Sequence, residues 1–115
     1  MGENHRAVDE TRHLRVEAAK VRAQAIRAQL SAAITFRRMV DVELDLGRSD
    51  IAHTLLRKIQ FIAEKIRAHL DEPNHVPPNQ LDQLRGELAG LESEIHKTEQ
   101  RLTNESRGPK PILGQ

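Results

Sequence analysis

The sequence has no cysteine, no tryptophan and no tyrosine, and only two phenylalanines among its 115 residues. The lack of cysteine excludes disulfide scaffolds, zinc ribbons, iron–sulfur sites and thiol nucleophiles. The balance of 18 basic against 17 acidic residues excludes a global charge that would favour nucleic acid or an anionic membrane. Because 30% of the residues are charged, the chain also lacks an apolar run that could span a membrane. We expect one small domain.

Sequence motifs typical of enzymes are missing as well. There is no glycine-rich phosphate loop, no Gly-x-Ser-x-Gly elbow and no carboxylate pair on an apolar face. Glu10 and His13 have the Glu-x-x-His spacing of di-iron bundles, but such a site needs two copies of it and two further glutamates. A surface metal site formed by His53, Glu92 and His96 is the remaining option, and surface histidines explain the pattern more simply. We therefore predict no enzyme, no catalytic residue, no cofactor and no metal.

Both ends of the sequence are polar. The opening residues, MGENHR, lack the apolar stretch of a secretory signal, so we expect a cytoplasmic protein. At the other end, residues 105–115 contain glycine and prolines and have no periodic pattern. This composition predicts a flexible tail.

Three segments carry apolar residues at alternating steps of three and four, the spacing of one helix face. They predict helices over about residues 6–46, 49–71 and 79–103, and nothing in the sequence predicts a strand. Helix two carries a broad face: Ala52, Leu55, Leu56, Ile59, Ile62, Ala63, Ile66 and Leu70. Helix three carries another: Leu81, Leu84, Leu88, Leu91, Ile95, Thr98 and Leu102. Gly47 ends helix one, and the pair Ser49-Asp50 is expected to supply the cap of helix two, as Asn79 is for helix three.

The short connections predict an all-α bundle of three long antiparallel helices, packed up, down, up as a single domain over residues 1–104. Helix one is longer than its neighbours. Counting back from Gly47, helix two ends opposite about Gln24, so the part of helix one before Arg22 is expected to overhang the bundle.

Two apolar rows run along opposite sides of helix one, and a single small bundle cannot easily bury both. The first row, which we expect to face the core, contains one polar member, Thr35. Its members are Leu14, Ala18, Val21, Ala25, Ala28, Ala32, Thr35, Met39, Val42 and Leu46. The second row consists of Val16, Ala19, Ala23, Ile26, Leu30 and Ile34. Either helices two and three each cover one row, or another chain covers part of helix one.

We favour self-association, or the docking of a partner helix, through helix one. The predicted apolar contacts are Leu14, Val16, Val21, Ile26 and Leu30. Arg15, Lys20, Arg22 and Arg27 flank the second row and form the predicted electrostatic rim. Phe61 is a further candidate contact, or else packs at the margin of the bundle.

Helix one also concentrates positive charge, with seven Lys or Arg residues and one acid between Arg12 and Arg38. Such a face is compatible with a nucleic-acid-binding accessory protein or with peripheral membrane attachment. Neither option is supported by aromatic residues, which would stack on bases or anchor in lipid. The simpler alternative is a solvated face that is neutralised by the acidic third helix.

The segment around the first turn resembles the middle of a tetratricopeptide repeat. Gly47 is followed five residues later by Ala52, and then by Leu55, Leu56 and Ile59, where that family has alanine, two bulky residues and a small apolar one. The resemblance implies a tightly packed helical hairpin between residues 30 and 70.

Overall fold

The computed structural model describes the backbone of residues 2–106 and the side chains of residues 9–104. It contains three helices: α1 over Gly2–Asp45, α2 over Ser49–Asp71 and α3 over Pro78–Ser106. All three pack against one another, and no strand occurs in this part of the chain, which confirms the predicted all-α three-helix architecture. Helix α1 begins earlier than predicted and α3 ends three residues later. The predicted flexible tail lies almost entirely outside the described residues.

The reversal between α1 and α2 is built around Gly47, which has a positive φ of 77°. Its N–H donates to the Leu44 carbonyl at 3.0 Å, and the Arg48 N–H donates to the Glu43 carbonyl at 2.8 Å. This pair of bonds is a Schellman motif, which satisfies carbonyls at the end of a helix and favours glycine at the left-handed position. The predicted cap at Ser49-Asp50 is wrong, because Arg48 occupies the N-cap position and makes no side-chain capping bond.

The second connection ends with two prolines. Helix α3 begins at Pro78, where the fixed φ of proline suits a first helical position, and the Gln80 N–H donates to the Pro77 carbonyl at 2.9 Å. Asn79 therefore lies inside the helix and is not its cap. Val76 anchors the connection, since its side chain is buried in the core.

The predicted core faces of α2 and α3 are confirmed. Their apolar positions are buried, except for Leu55, Ile62 and Leu81, which are half-buried and pack against the core. Thr98 is the polar residue buried in this face, and its hydroxyl donates to the Glu94 carbonyl at 2.9 Å within the same helix. The hydroxyl is thereby satisfied without a partner from another helix.

The predicted core face of α1 is wrong: the second row faces α2 and α3, and the first row faces away from them. The buried side chains of α1 begin on the second row and then continue beyond it past Leu30. They are Ala19, Ala23, Ile26, Leu30, Ala33, Val40 and Leu44. This line also follows steps of three and four, but Arg37 interrupts it. The Arg37 guanidinium pairs with Asp41 at 3.1 Å and with Glu94 at 3.9 Å at the edge of the bundle, so the charge is not buried in the core.

Candidate interaction surface on helix α1

The first row is an apolar stripe on the outside of the three-helix bundle. All ten of its members are exposed, including Leu14 at 67%, Val21 at 62% and Val42 at 55% of their full accessible surface. From Leu14 to Leu46 the stripe is about 48 Å long at 1.5 Å per residue. The buried residues of α1 lie on the other side of the helix, so none of the described residues of α2 and α3 covers this stripe.

Small and large residues are unevenly distributed along the first row. Alanines fill most of its middle, whereas its larger side chains lie towards the two ends. The larger ones are Leu14, Val21, Met39, Val42 and Leu46. Alanine allows the backbone of a neighbouring helix to approach closely, and the larger residues offer apolar area at both ends of such a contact.

The structure separates the five predicted apolar contacts into two groups. Leu14 and Val21 lie on the first row and are exposed, and Val16 is 46% exposed on the other side of α1. Ile26 and Leu30 are only 2% and 3% exposed, because they pack against α2 and α3 as part of the core. The prediction that Ile26 and Leu30 are contacts for another molecule is therefore wrong, since they are not accessible in the folded chain.

The four residues of the basic rim predicted beside the second row differ in exposure and in partners. Arg15 is exposed, Lys20 pairs with Glu17 at 3.3 Å, and Arg27 is half-buried. The Arg22 side chain reaches the α2–α3 connection, where its Nε donates to the His75 carbonyl at 2.6 Å. Arg22 therefore has a structural role that the sequence pattern does not reveal.

A shallow groove of about 540 Å³ lies between the N-terminal half of α1 and the α2–α3 connection. Arg12, Arg15 and Arg22 line it on the α1 side, together with Val16 and Ala19. Every side chain from residue 9 to residue 18 is exposed, and burial begins at Ala19. The overhang of helix one stays a prediction, because the connection comes close enough to share this groove.

Among the described residues, one ion pair joins a basic residue of α1 to an acidic residue of α3, Arg37 with Glu94 at 3.9 Å, as the alternative of a neutralised basic face would require. At the end of α1 the polarity is reversed: Arg101 of α3 pairs with Asp41 at 3.2 Å and with Asp45 at 3.0 Å. These ion pairs are partly exposed, and such pairs typically contribute up to about 1 kcal/mol. Their main effect is to fix how the end of α1 lies against α3.

A histidine cluster at the end of α2 was not anticipated from the sequence. Ligand atoms of His69, Glu72 and His75 all lie within 4.8 Å of one another, so these residues could supply three ligands to a metal ion. The two imidazole rings stack with centroids 4.8 Å apart and planes inclined by 13°, and Nδ1 of His75 lies 3.1 Å from Oε2 of Glu72. Nearly parallel rings direct their lone pairs side by side and not towards one point. The spacing His-x-x-Glu-x-x-His is the signal that could have revealed this cluster.

The metal candidates considered from the sequence do not form a site of this kind. Glu92 forms a bidentate ion pair with Arg67 of α2, and His96 contacts Gln100 and Glu99 of its own helix.

Phe61 is exposed at 59%, with the ammonium of Lys65 lying 5.2 Å from its ring centroid. Phe61 is thus an isolated exposed aromatic and not part of the bundle margin.

Within the described residues, none of the three helices is long and apolar enough to cross a membrane. Comparisons of the chain with protein-family models, curated proteins and solved structures gave no match. The functional interpretation is therefore based on the geometry of α1.

Proposed function

We propose that this chain is a non-enzymatic interaction module that self-associates by packing the first row of α1 against the first row of a second copy. The observation that carries the proposal is the exposure of all ten members of the row. A narrow apolar stripe with alternating steps of three and four is the pattern by which helices pair in coiled coils.

The width of the stripe favours a helix as its occupant. Polar and charged residues flank it closely on both sides, among them Glu17, Gln24 and Arg38 on one side and Arg15 and Gln29 on the other. A stripe of two positions per heptad fits the contact between two helices, whereas a core-facing helix of a larger assembly carries a broader face.

Self-association also provides a reason for the length of α1. Residues 9–18 are helical although all their side chains are exposed, and isolated helices of this size are only marginally stable in water. A second α1 helix packed along the first row would cover Leu14 and Ala18 and stabilise this segment. The same contact would remove an apolar stripe from water along most of the helix.

Nucleic-acid binding is the second candidate, and the observation that favours it is the arginine-lined groove. Arg12 and Arg15 both line this groove, but only Arg12 lies on the side of α1 away from the first row, since Arg15 also borders that row. The two candidate functions can therefore be separated by substitutions at Arg12 and at Val21. Peripheral membrane attachment would use the same basic side and would respond to the same substitutions.

The deciding experiment compares Val21→Asp with Val16→Asp by sedimentation equilibrium over a range of protein concentrations. Both valines are exposed on α1, but Val21 belongs to the first row and Val16 does not. We expect the unmodified chain and Val16→Asp to dimerise and Val21→Asp to be monomeric, while all three retain cooperative unfolding by circular dichroism. A monomeric unmodified chain, or equal association of the two variants, would refute self-association through the first row.

Repeating the measurement at low and high salt separates the two candidates. Apolar association persists or strengthens with salt, whereas binding to phosphates weakens steeply. Nucleic-acid binding that persists in Val21→Asp and is lost in Arg12→Glu and at high salt would support the second candidate.

A further inference from the structure

We infer that two α1 helices pair in parallel and in register, with ion pairs between flanking positions that set this orientation. The inference rests on the proposed self-association and adds which ends of the helices meet. It follows from the charges beside the first row, which complement one another at more positions in the parallel orientation than in the antiparallel one.

The alternating steps of the first row assign its members to the two core positions of a heptad. Ala18, Ala25, Ala32, Met39 and Leu46 occupy position a, and Leu14, Val21, Ala28, Thr35 and Val42 occupy position d. The flanking g positions are then Glu10, Glu17, Gln24, Ser31, Arg38 and Asp45. The flanking e positions are Arg15, Arg22, Gln29, Phe36 and Glu43. In a parallel pair, each g residue lies beside the e residue of the next heptad in the partner.

Parallel pairing brings every charged flanking residue except Asp45 next to an opposite charge, and the e partner of Asp45 would lie beyond the end of α1. Glu10 of one copy meets Arg15 of the other, and Glu17 meets Arg22. Further along, Arg38 meets Glu43. The two remaining neighbour pairs are uncharged, Gln24 with Gln29 and Ser31 with Phe36. No like-charge pair arises, and twofold symmetry generates each ion pair twice.

Antiparallel pairing would place g beside g and e beside e. With Leu14 opposite Leu46, Glu17 would then lie near Asp45, a like-charge contact that the pairing of Asp45 with Arg101 only partly offsets. Arg15 would meet Glu43 favourably, but Arg22 would lie near Phe36 and lose its carboxylate partner. The balance of charges therefore favours the parallel arrangement.

Four of the six side chains that would form these pairs are exposed in the folded chain, whereas Arg22 and Glu43 are half-buried. Glu10, Arg15, Glu17 and Arg38 are all exposed. Arg22 uses Nε for the His75 carbonyl, so its terminal nitrogens are the groups that would meet Glu17. Glu43 already lies 3.4 Å from Arg48, which makes its pair with Arg38 less independent.

Disulfide trapping tests the orientation, and the absence of native cysteine makes it straightforward. In the parallel arrangement, two Val21→Cys chains place their new sulfurs in the same core layer, where a disulfide can close. In the antiparallel arrangement, position 21 lies opposite position 39. We expect Val21→Cys to form a covalent dimer readily upon mild oxidation, and Val16→Cys, the control on the other side of α1, to do so poorly.

The outcome that would overturn the inference is specific. If a mixture of Val21→Cys and Met39→Cys forms predominantly the mixed disulfide, while each variant alone cross-links no better than Val16→Cys, the pairing is antiparallel. Sedimentation of the unmodified chain separates this result from failure of the proposed function, which would give a monomer.

Charge exchange at one pair gives an independent readout. Glu10→Arg places like charges beside Arg15 twice per dimer, and it should raise the dissociation constant about tenfold at low salt. Adding Arg15→Glu should restore the original affinity in a parallel dimer. In an antiparallel dimer Glu10 has no partner in α1, so the first substitution would change little. Arg15→Glu would then weaken binding, because residue 15 would face Glu43, and that result would contradict the inference.

Discussion

Two valines that lie two residues apart in α1 test which side of the helix faces the core. Val40 is completely buried in the bundle, whereas Val42 belongs to the first row and is 55% exposed. Replacing each by alanine removes the same two carbon atoms from the same helix. The difference between the two free energies of unfolding therefore reports burial and little else.

The expected magnitudes follow from the two environments. At Val40, the loss of two buried carbons costs about 1.6 kcal/mol in transfer free energy, and the resulting cavity adds to this cost. The higher helix propensity of alanine returns up to about 0.7 kcal/mol. We expect Val40→Ala to destabilise the monomer by roughly 1–3 kcal/mol. Val42→Ala loses little burial and gains the same propensity, so its effect should lie between neutral and about 0.7 kcal/mol stabilising.

Urea unfolding followed by circular dichroism measures both values, provided that the chain is monomeric at the concentration used. This condition matters because dimerisation adds a concentration-dependent term to the apparent stability. Equal destabilisation by the two variants under these conditions would show that the first row is also buried within one chain. That result would remove the basis for self-association as well.

Two further substitutions test local features of the fold. Gly47→Ala should destabilise the chain by about 1–2 kcal/mol in urea or thermal unfolding. The cost is conformational, because φ is 77° and no atom lies near the added Cβ. An unchanged midpoint would exclude the left-handed cap. Burial, followed by the charge of Arg22, lowers the pKa of His75 from its ordinary 6.5, so the unfolded chain binds the proton more readily. Stability is then fully present above about pH 6.5 and declines below it. When the pH is lowered below about 6.5, the urea midpoint of His75→Gln should decline less than that of His96→Gln. An equal pH dependence of the two midpoints would contradict the lowered pKa of His75.

The faces of α2 and α3 could be predicted because each of these helices carries only one apolar face. For α2 that face is broad, and for α3 it repeats regularly from Leu84 to Leu102. The first turn could also be predicted from the sequence, since Gly47 is the residue best suited to a left-handed helix end. The start points of α2 and α3 could not be predicted from Ser49 and Asn79, because the Schellman bonds and Pro78 define those ends through backbone geometry.

The core face of α1 could not be predicted because its two rows have nearly the same spacing. The first row is interrupted only by the uncharged Thr35, whereas the buried line contains Arg37, which makes it look less like a core face. Side-chain size carried the correct information, since Ile26 and Leu30 bury more apolar area than the alanines opposite them. Arg37 is tolerated because its long side chain places the guanidinium at the edge of the bundle.

The inversion of the two rows changes what kind of molecule the chain can be. If the first row had faced the core, the second row would have been exposed along Ile26 and Leu30, and the predicted rim beside it, Arg15, Lys20, Arg22 and Arg27, carries charges of one sign only. With the second row buried, the exposed stripe is the one whose flanking residues, from Glu10 to Glu43, complement a second copy of themselves. An exposed row of mixed alanine and larger residues is weak as a core, and in the proposed dimer it would form one side of a symmetric helix pair. The arrangement that leaves α1 incompletely covered in one chain is therefore the one that would let two chains cover each other.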